Sequence, residues 1–293
     1  ALTLFYLGLL KFSMQEEGKR FQIQVLDVGQ GDGIYIESDA GTEIFVDGGS
    51  VDVSEVGKYR IQPFLKSHGV KEVDYWFVSH CDADHCNGLM ELLEADVPIK
   101  HLVFSKYVLR DEAQEELVAL AKRKGCQVLY LEEGECFRDA SVRIQAMYPS
   151  EKSVEGERNA DSLVLLLEHG NFHGLLTGDI GSEQEKKLIE TYGEVCDSRN
   201  IDWYKAAHHG SKTSNSKELL DALQPKIATI SCGQDNSYGH PGKEAVEHMQ
   251  DAGAEIFQTT ECGQIGITEE DGKVCVRRLL KEKGVLGETD EKK

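Results

Sequence analysis

The chain is 293 residues long, 40 % apolar and 29 % charged, which suits a folded protein with one large core or two small ones and excludes a disordered or fibrous one. Thirty-two Lys and Arg against fifty-two Asp and Glu leave a formal charge of −20 at pH 7, so a general electrostatic DNA-binding surface is disfavoured unless the field is locally reversed. Twenty-nine Gly and only five Pro favour many short elements joined by glycine turns over a helical bundle, and eight scattered Cys form neither a zinc ribbon nor a disulfide scaffold.

In chain order, the stretch from Ala1 to Leu10 is apolar but far short of the roughly 20 residues that span a bilayer. It also lacks the positive n-region and the cleavage site of a signal peptide. Residues 1–20 are therefore expected to be the trimmed end of a membrane helix and its linker, with an amphipathic or core-docked segment as the plainer alternative.

From Phe21 onward, Phe21, Ile23 and Val25 alternate with polar residues and predict a strand; residues 33–36 and 43–46 predict two more, a β-meander. Residues 73–79 read as a buried strand ending at His80, and 88–94 as a helix that follows a polar turn. A helix over 112–124 and strands over 127–131 and 141–147 come next. The second half alternates in the same way, with strands over 162–167 and 172–177, a helix over 182–192, and a strand over 203–207 that runs into two histidines. Helices over 216–223 and 243–251, strands over 227–231 and 255–258, and a hairpin over 264–277 turning at Asp271-Gly272 complete the series. The alternation predicts an α/β domain over 21–278 made of two similar halves, with a charged, frayed tail at 279–293.

The chemistry concentrates in Ser79-His80-Cys81-Asp82-Ala83-Asp84-His85-Cys86-Asn87-Gly88, which places two His and two Asp within six residues directly after an apolar strand. Imidazole plus carboxylate is a ligand set for Zn, Mn or Fe. Other metal-capable residues follow strand ends in the same way: Asp47 before Gly48-Gly49, Asp179 after Gly178, His208 and His209 after Ala207, and His240 before Pro241. Layered α/β folds gather their sites at such strand ends.

Together these residues resemble the metallo-β-lactamase superfamily. His80, Asp84 and His85 fit its His-x-His-x-Asp-His loop, and Asp82 stands where the second His is usual. Leu26-Asp27-Val28-Gly29-Gln30-Gly31-Asp32, His208-His209-Gly210-Ser211-Lys212-Thr213-Ser214 and Asn236-Ser237-Tyr238-Gly239-His240-Pro241 sharpen the likeness. With the stretch from Asn159 to Leu167, they are similar to the lactamase-like domain of ComEC-type competence proteins.

The resemblance implies a four-layer αββα sandwich with one or two divalent metals at the edge between its halves. It implies a metal shell of His80, Asp82, Asp84, His85, Asp179 and His208, with Asp179 bridging, Asp47 in support, and Asp84 also catalytic. His209, Ser211 and His240 would face substrate phosphate or the leaving oxygen. Strand alternation lets only one of His208 and His209 point to the metal, without saying which. Asp82 hardens the ligand set, so Mn is favoured, with Zn or Mg as alternatives. The family's separate third His is absent; Arg158, Asn159 and Asp161 occupy its region, so one metal position is incomplete or Asp161 substitutes.

The implied function is a metal-dependent nuclease that cleaves DNA phosphodiesters, single-stranded DNA above all, during natural transformation. Its partner would be a membrane channel region of the same polypeptide or a DNA-uptake complex, and its place the extracellular face of the cell membrane. A stand-alone hydrolase of a small phosphodiester or ester, and a non-catalytic assembly module, are the other readings. Lys205 and Lys212 flank the double histidine as local cations for a polyanion. Cys81 and Cys86 are expected to point away from the metal loop. Histidines 68, 101, 169, 173 and 248 read as surface or capping residues, and Gly29-Gln30-Gly31-Asp32-Gly33 as a tight turn rather than a phosphate loop.

Overall fold

The computed structural model describes residues 20–199, 201–270 and 272–280. The apolar N-terminal run, Asp271 of the expected hairpin turn, and the tail beyond Leu280 lie outside the described residues.

The meander forms from β1 (Gln22–Val25), β2 (Ile34–Glu37) and β3 (Glu43–Val46), paired antiparallel. β4 (Val73–Phe77), β5 (Ile99–Ser105) and β6 (Gln127–Leu131) extend it in parallel. Parallel neighbours need long crossovers. These are a π-helical turn at Gly57–Ile61 with α1 (Gln62–Ser67), then α2 (Ala83–Glu94) and α3 (Glu112–Arg123). Asp111 caps α3 by accepting from the Gln114 amide at 3.1 Å.

The second half follows the same plan: β7 (Cys136–Arg138), β8 (Val142–Tyr148), β9 (Val164–His169) and β10 (Phe172–Leu176) run antiparallel. α4 (Ser182–Arg199), β11 (Trp203–Lys205), α5 (Lys217–Leu223), β12 (Ile227–Ile230), α6 (Lys243–Asp251) and β13 (Glu255–Gln258) then add parallel strands. After α7 (Thr259–Cys262), the hairpin β14 (Ile265–Glu270) and β15 (Lys273–Arg278) returns to pair with β1. The sheets thus have eight and seven strands.

Strand alternation sorts the apolar residues into three layers. Tyr35, Phe45 and Trp76 face α1–α3, while Ile34, Ile36, Ile44 and Phe77 face the second sheet and meet Ile144, Leu165, Leu167 and Trp203. Leu166, Leu175, Tyr204 and Ala228 turn outward to Leu188, Leu219, Leu220 and Met249 of α4–α6. Three apolar seams between four layers make an αββα sandwich, as the resemblance implies.

The elements differ from expectation where tertiary contacts decide. β5, the short β7 and the helical turns over 57–67 carry no strong local period and were not predicted. α2 begins at Ala83 rather than at 88, so Asp84 and His85 sit on a helical first turn and not in a loop. β11 ends at Lys205, and His208 and His209 lie on the turn Ala207–Gly210 with φ values of 50° and 53°. Among the described residues, no helix is long and apolar enough to cross a membrane.

Candidate metal centre

The strand ends of both halves meet at one edge of the sandwich. Asp32 comes from the β1–β2 loop, His85 from the first turn of α2, Asp179 from the end of β10 and His209 from the turn after β11. One ligand atom from each of these four buried residues lies within 4.8 Å of all the others. His85 Nε2 is 3.2 Å from Asp179 Oδ1, and His209 Nε2 is 3.5 Å from Asp179 Oδ2 and 3.4 Å from Asp84 Oδ2. Buried polar atoms are almost always hydrogen-bonded. Asp32 Oδ1, His80 Nε2, His85 Nε2, Asp179 Oδ1 and His209 Nε2 nonetheless have no hydrogen-bond partner. Two ligands bonded at about 2.1 Å to one tetrahedral ion stand roughly 3.4 Å apart, so these spacings fit a divalent metal better than direct hydrogen bonds.

Surrounding hydrogen bonds fix the tautomers. Asp47 Oδ2 accepts from His85 Nδ1 at 3.0 Å, while Asp47 also takes the Ser79 amide and hydroxyl, each at 2.8 Å. Because the Ser79 proton goes to Asp47, the Ser79 oxygen accepts from His80 Nδ1 at 3.0 Å. The Ser231 carbonyl accepts from His209 Nδ1 at 3.0 Å. All three imidazoles therefore carry hydrogen on Nδ1 and turn Nε2 to the centre, where a metal would replace a proton, the usual supported orientation of a ligating His.

Glycines let the backbones approach. A Cβ on Gly31 would lie 2.3 Å from the Gly49 carbonyl and 2.6 Å from that of Asp84, and one on Gly49 would lie 2.3 Å from the Ala83 carbonyl. Asp32 N donates to Asp84 O, and Gly49 N to Asp32 O, each at 3.0 Å. Residues 29–33 are thus not a simple tight turn. They form a loop laid against the start of α2 that delivers Asp32. Lys205 is also not a surface cation: it is 1 % exposed, and its Nζ donates to Asp32 Oδ2 at 2.8 Å. Lys212 is exposed.

The electrostatics show carboxylates in need of cations. For His209, burial works to lower the pKa, but Asp179 and Asp32 outweigh it and raise it to about 9. Burial likewise opposes protonation of His85, yet Asp179 and Asp47 hold it well above 6.5. Asp179 is the mirror case: burial pushes it up, and His85 and His209 pull it well below the ordinary carboxylate range. Without a metal, protons on the imidazoles balance this charge.

The remaining candidates stand around this group. Asp84 reaches His209, and His208 lies at the margin, 29 % exposed, with Nε2 3.7 Å from Asp179 Oδ2. The geometry thus groups His209 rather than His208 with the buried donors. Alternation along a strand does not govern the pair, because both residues are off the strand in left-handed conformation. Asp82 Oδ2 is 3.6 Å from His80 Nε2, and Arg158 Nη1 donates to Asp82 Oδ1 at 2.6 Å. His240 accepts on Nδ1 from Gln30 Nε2 at 3.3 Å; burial, with His208 and His209 nearby, lowers its pKa to about 4. Ser211 Oγ lies 3.0 Å from Thr213 Oγ1 in its own turn. Asp161 does not reach the centre, because its carboxylate accepts the amides of Glu155, Gly156 and Glu157.

Cys81 and Cys86 pack into the helix-side core. His101 stacks on Tyr75, His169 sits between Asp39 and Glu269, and His248 bonds the Asn215 carbonyl, all outside the cluster. Asp32 carries no assignment from the sequence, because it stands late in the β1–β2 loop, just before β2, and not directly after a strand as Asp47 does.

No protein-family model matches the chain. ComE operon protein 3 of Bacillus subtilis (strain 168) is 27 % identical over 276 residues, covering 90 % of this chain and 34 % of the relative. Competence protein ComA of Neisseria gonorrhoeae is 27 % identical over 257 residues, covering 88 % of this chain and 33 % of the relative. The chain thus spans about a third of the length of these curated relatives. Among solved structures, CmlA, a diiron β-hydroxylase from Streptomyces venezuelae, aligns with a TM-score of 0.53 at 15 % identity, covering 89 % of this chain and 54 % of that one, a likeness of fold alone. The chain is thus similar over most of its length to ComEC-type competence proteins, and its fold is a metallo-β-lactamase-like sandwich.

Proposed function

We propose that the chain is a metal-dependent hydrolase that cleaves DNA phosphodiesters, single-stranded DNA in particular, during DNA uptake. The observation that carries this reading is the convergence of four buried ligand groups, Asp32, His85, Asp179 and His209, each with an atom that has no hydrogen-bond partner. A relative named as a competence protein supplies the biological setting.

Asp32, Asp84, His85, Asp179 and His209 would hold a divalent ion, with Mn the metal that suits this carboxylate-rich set. When bound, such an ion supplies an activated water and neutralises charge that develops on phosphate oxygens. The chain's own residues do the positioning. Asp47 and the Ser231 carbonyl orient His85 and His209, and Lys205 anchors Asp32. Because Gln30 donates to Nδ1 of His240, the neutral ring carries its hydrogen on Nε2 and can offer it as a hydrogen bond to a phosphate or leaving oxygen. His208, Ser211 and exposed Lys212 lie on the substrate side. With a net charge of −20, contact with DNA would be weak, salt-sensitive and confined to this edge. We place this work at the extracellular face of the cell membrane, beside a membrane channel region or uptake complex that delivers the strand.

The test is incubation of the purified chain with end-labelled single-stranded DNA and Mn. Cleavage should be lost in Asp179→Ala, while His240→Ala should lower kcat about a hundredfold with metal affinity retained. A chain that loads metal yet cleaves no DNA would overturn the nuclease reading. A rate on short dinucleotides equal to that on long strands would favour the small-substrate alternative.

A further inference from the structure

We infer that Arg158 occupies the place of a second cation, so that the centre takes one divalent ion and not two. The inference rests on the metal-centre reading above and goes on to fix its stoichiometry. Two donor groups are available in principle. The first is the buried group of Asp32, His85, Asp179 and His209, joined by Asp84. The second is the pair His80 Nε2 and Asp82 Oδ2, 3.6 Å apart, a spacing that would also suit two ligands of one ion.

The second position lacks what the first has. Catalytic zinc sites use three protein ligands and structural ones four. Beyond His80 and Asp82, Asp179 is already shared with His85 and His209, and His208, 3.7 Å from Asp179 Oδ2, stands at the exposed margin. Asp161, the residue in sequence best placed to complete the position, is engaged with three loop amides. What the same segment brings instead is a fixed cation. Arg158 donates through Nη1 to Asp82 Oδ1 at 2.6 Å and through Nε to Asp111 Oδ2 at 2.5 Å. Asp111 is itself held as the cap of α3, so the guanidinium is clamped from both sides. Asp82, although it is the N-cap residue of α2, makes no capping hydrogen bond with its side chain.

Charge leads to the same result. Lys205 pairs with Asp32, Arg158 pairs with Asp82, and Asp47 serves Ser79 and His85. The carboxylates of Asp84 and Asp179 are left to face one dication. A second dication at His80 and Asp82 would share a single carboxylate with a guanidinium, and the two positive charges would repel in a half-buried site.

Metal stoichiometry tests this without reference to activity. The full chain is titrated with Mn(II) and followed by calorimetry, native mass spectrometry and electron paramagnetic resonance. The expected result is one tightly bound ion with the six-line spectrum of isolated Mn(II). Arg158→Gln should admit a second ion and produce a spin-coupled spectrum, whereas Arg158→Lys should remain at one. Asp82→Asn should weaken the first ion by less than about tenfold, below the 10–100-fold loss usual for a lost supporting group. Two ions of similar affinity in the unaltered chain would overturn the inference, as would a single ion in a folded Arg158→Gln. Binding of no ion would overturn the metal-centre reading itself and, with it, this one.

Discussion

The buried side of the site and its rim are built on opposite principles. On the buried side, Asp32, His85, Asp179 and His209 are each at most 3 % exposed, and their partners come from both halves of the sandwich. On the rim, Asp82, Arg158 and His208 have side chains 29–35 % exposed and are held by ion pairs that water can reach. Charge in a dry site must be matched by a fixed partner or a bound cation, whereas charge at a wet margin is screened and can be exchanged. Substitutions on the buried side should therefore disturb metal binding and folding, and those at the rim the handling of substrate.

The largest expected effect is that of Asp179→Ala, which removes the carboxylate shared by His85 and His209. Metal affinity should fall by more than about a hundredfold, measured by calorimetry. Lys205→Met follows. It strands Asp32 without its cation, and unfolding in urea should show a loss of about 3–5 kcal/mol in the metal-free protein. The double variant Lys205→Met/Asp32→Asn should recover much of that loss. If the single variant is as stable as the parent, the buried ion pair is not what holds Asp32 in place.

Asp47→Ala probes the layer that orients His85, and metal affinity should drop about 10–100-fold with the fold retained. The pH dependence comes next. His209 has its pKa raised from 6.5 to about 9, and His85 is raised as well, so both hold protons in the metal-free centre at neutral pH. Metal must displace those protons, so its apparent affinity should rise with pH and level off above about 9. Conversely, the stability that the charged His209 lends the metal-free protein is complete below 6.5 and lost as pH rises through about 9. Metal affinity that is flat between pH 6 and 9 would contradict the assignment of these imidazoles. The smallest effect belongs to the rim: Lys212→Gln should raise KM for DNA by less than about tenfold, reduce its salt dependence, and leave metal affinity unchanged.

Much of the fold was legible because its periodicities are local. Alternation along 21–25 and 43–46 and the amphipathic run 112–124 each yield the right element from neighbouring residues alone. β5 and β7 escaped because one is continuously buried at its C-terminal end and the other is three residues long. The site was legible in part for the same reason: His and Asp at successive strand ends mark where a layered fold collects chemistry. Left-handed backbone at His208 and His209 defeated the alternation argument, since the turn and not the strand aims those rings.

The sequence by itself determined the α/β layering, the strand-end positions of the candidate ligands and the acidic character of the whole. Only the tertiary structure decided which carboxylate faces which cation. Lys205 reaches Asp32 across 173 residues and Arg158 reaches Asp82 across 76, and no local pattern encodes such pairs. They arise because packing the two halves drives strand ends of both into one volume from which water is excluded, where every charge must find its partner.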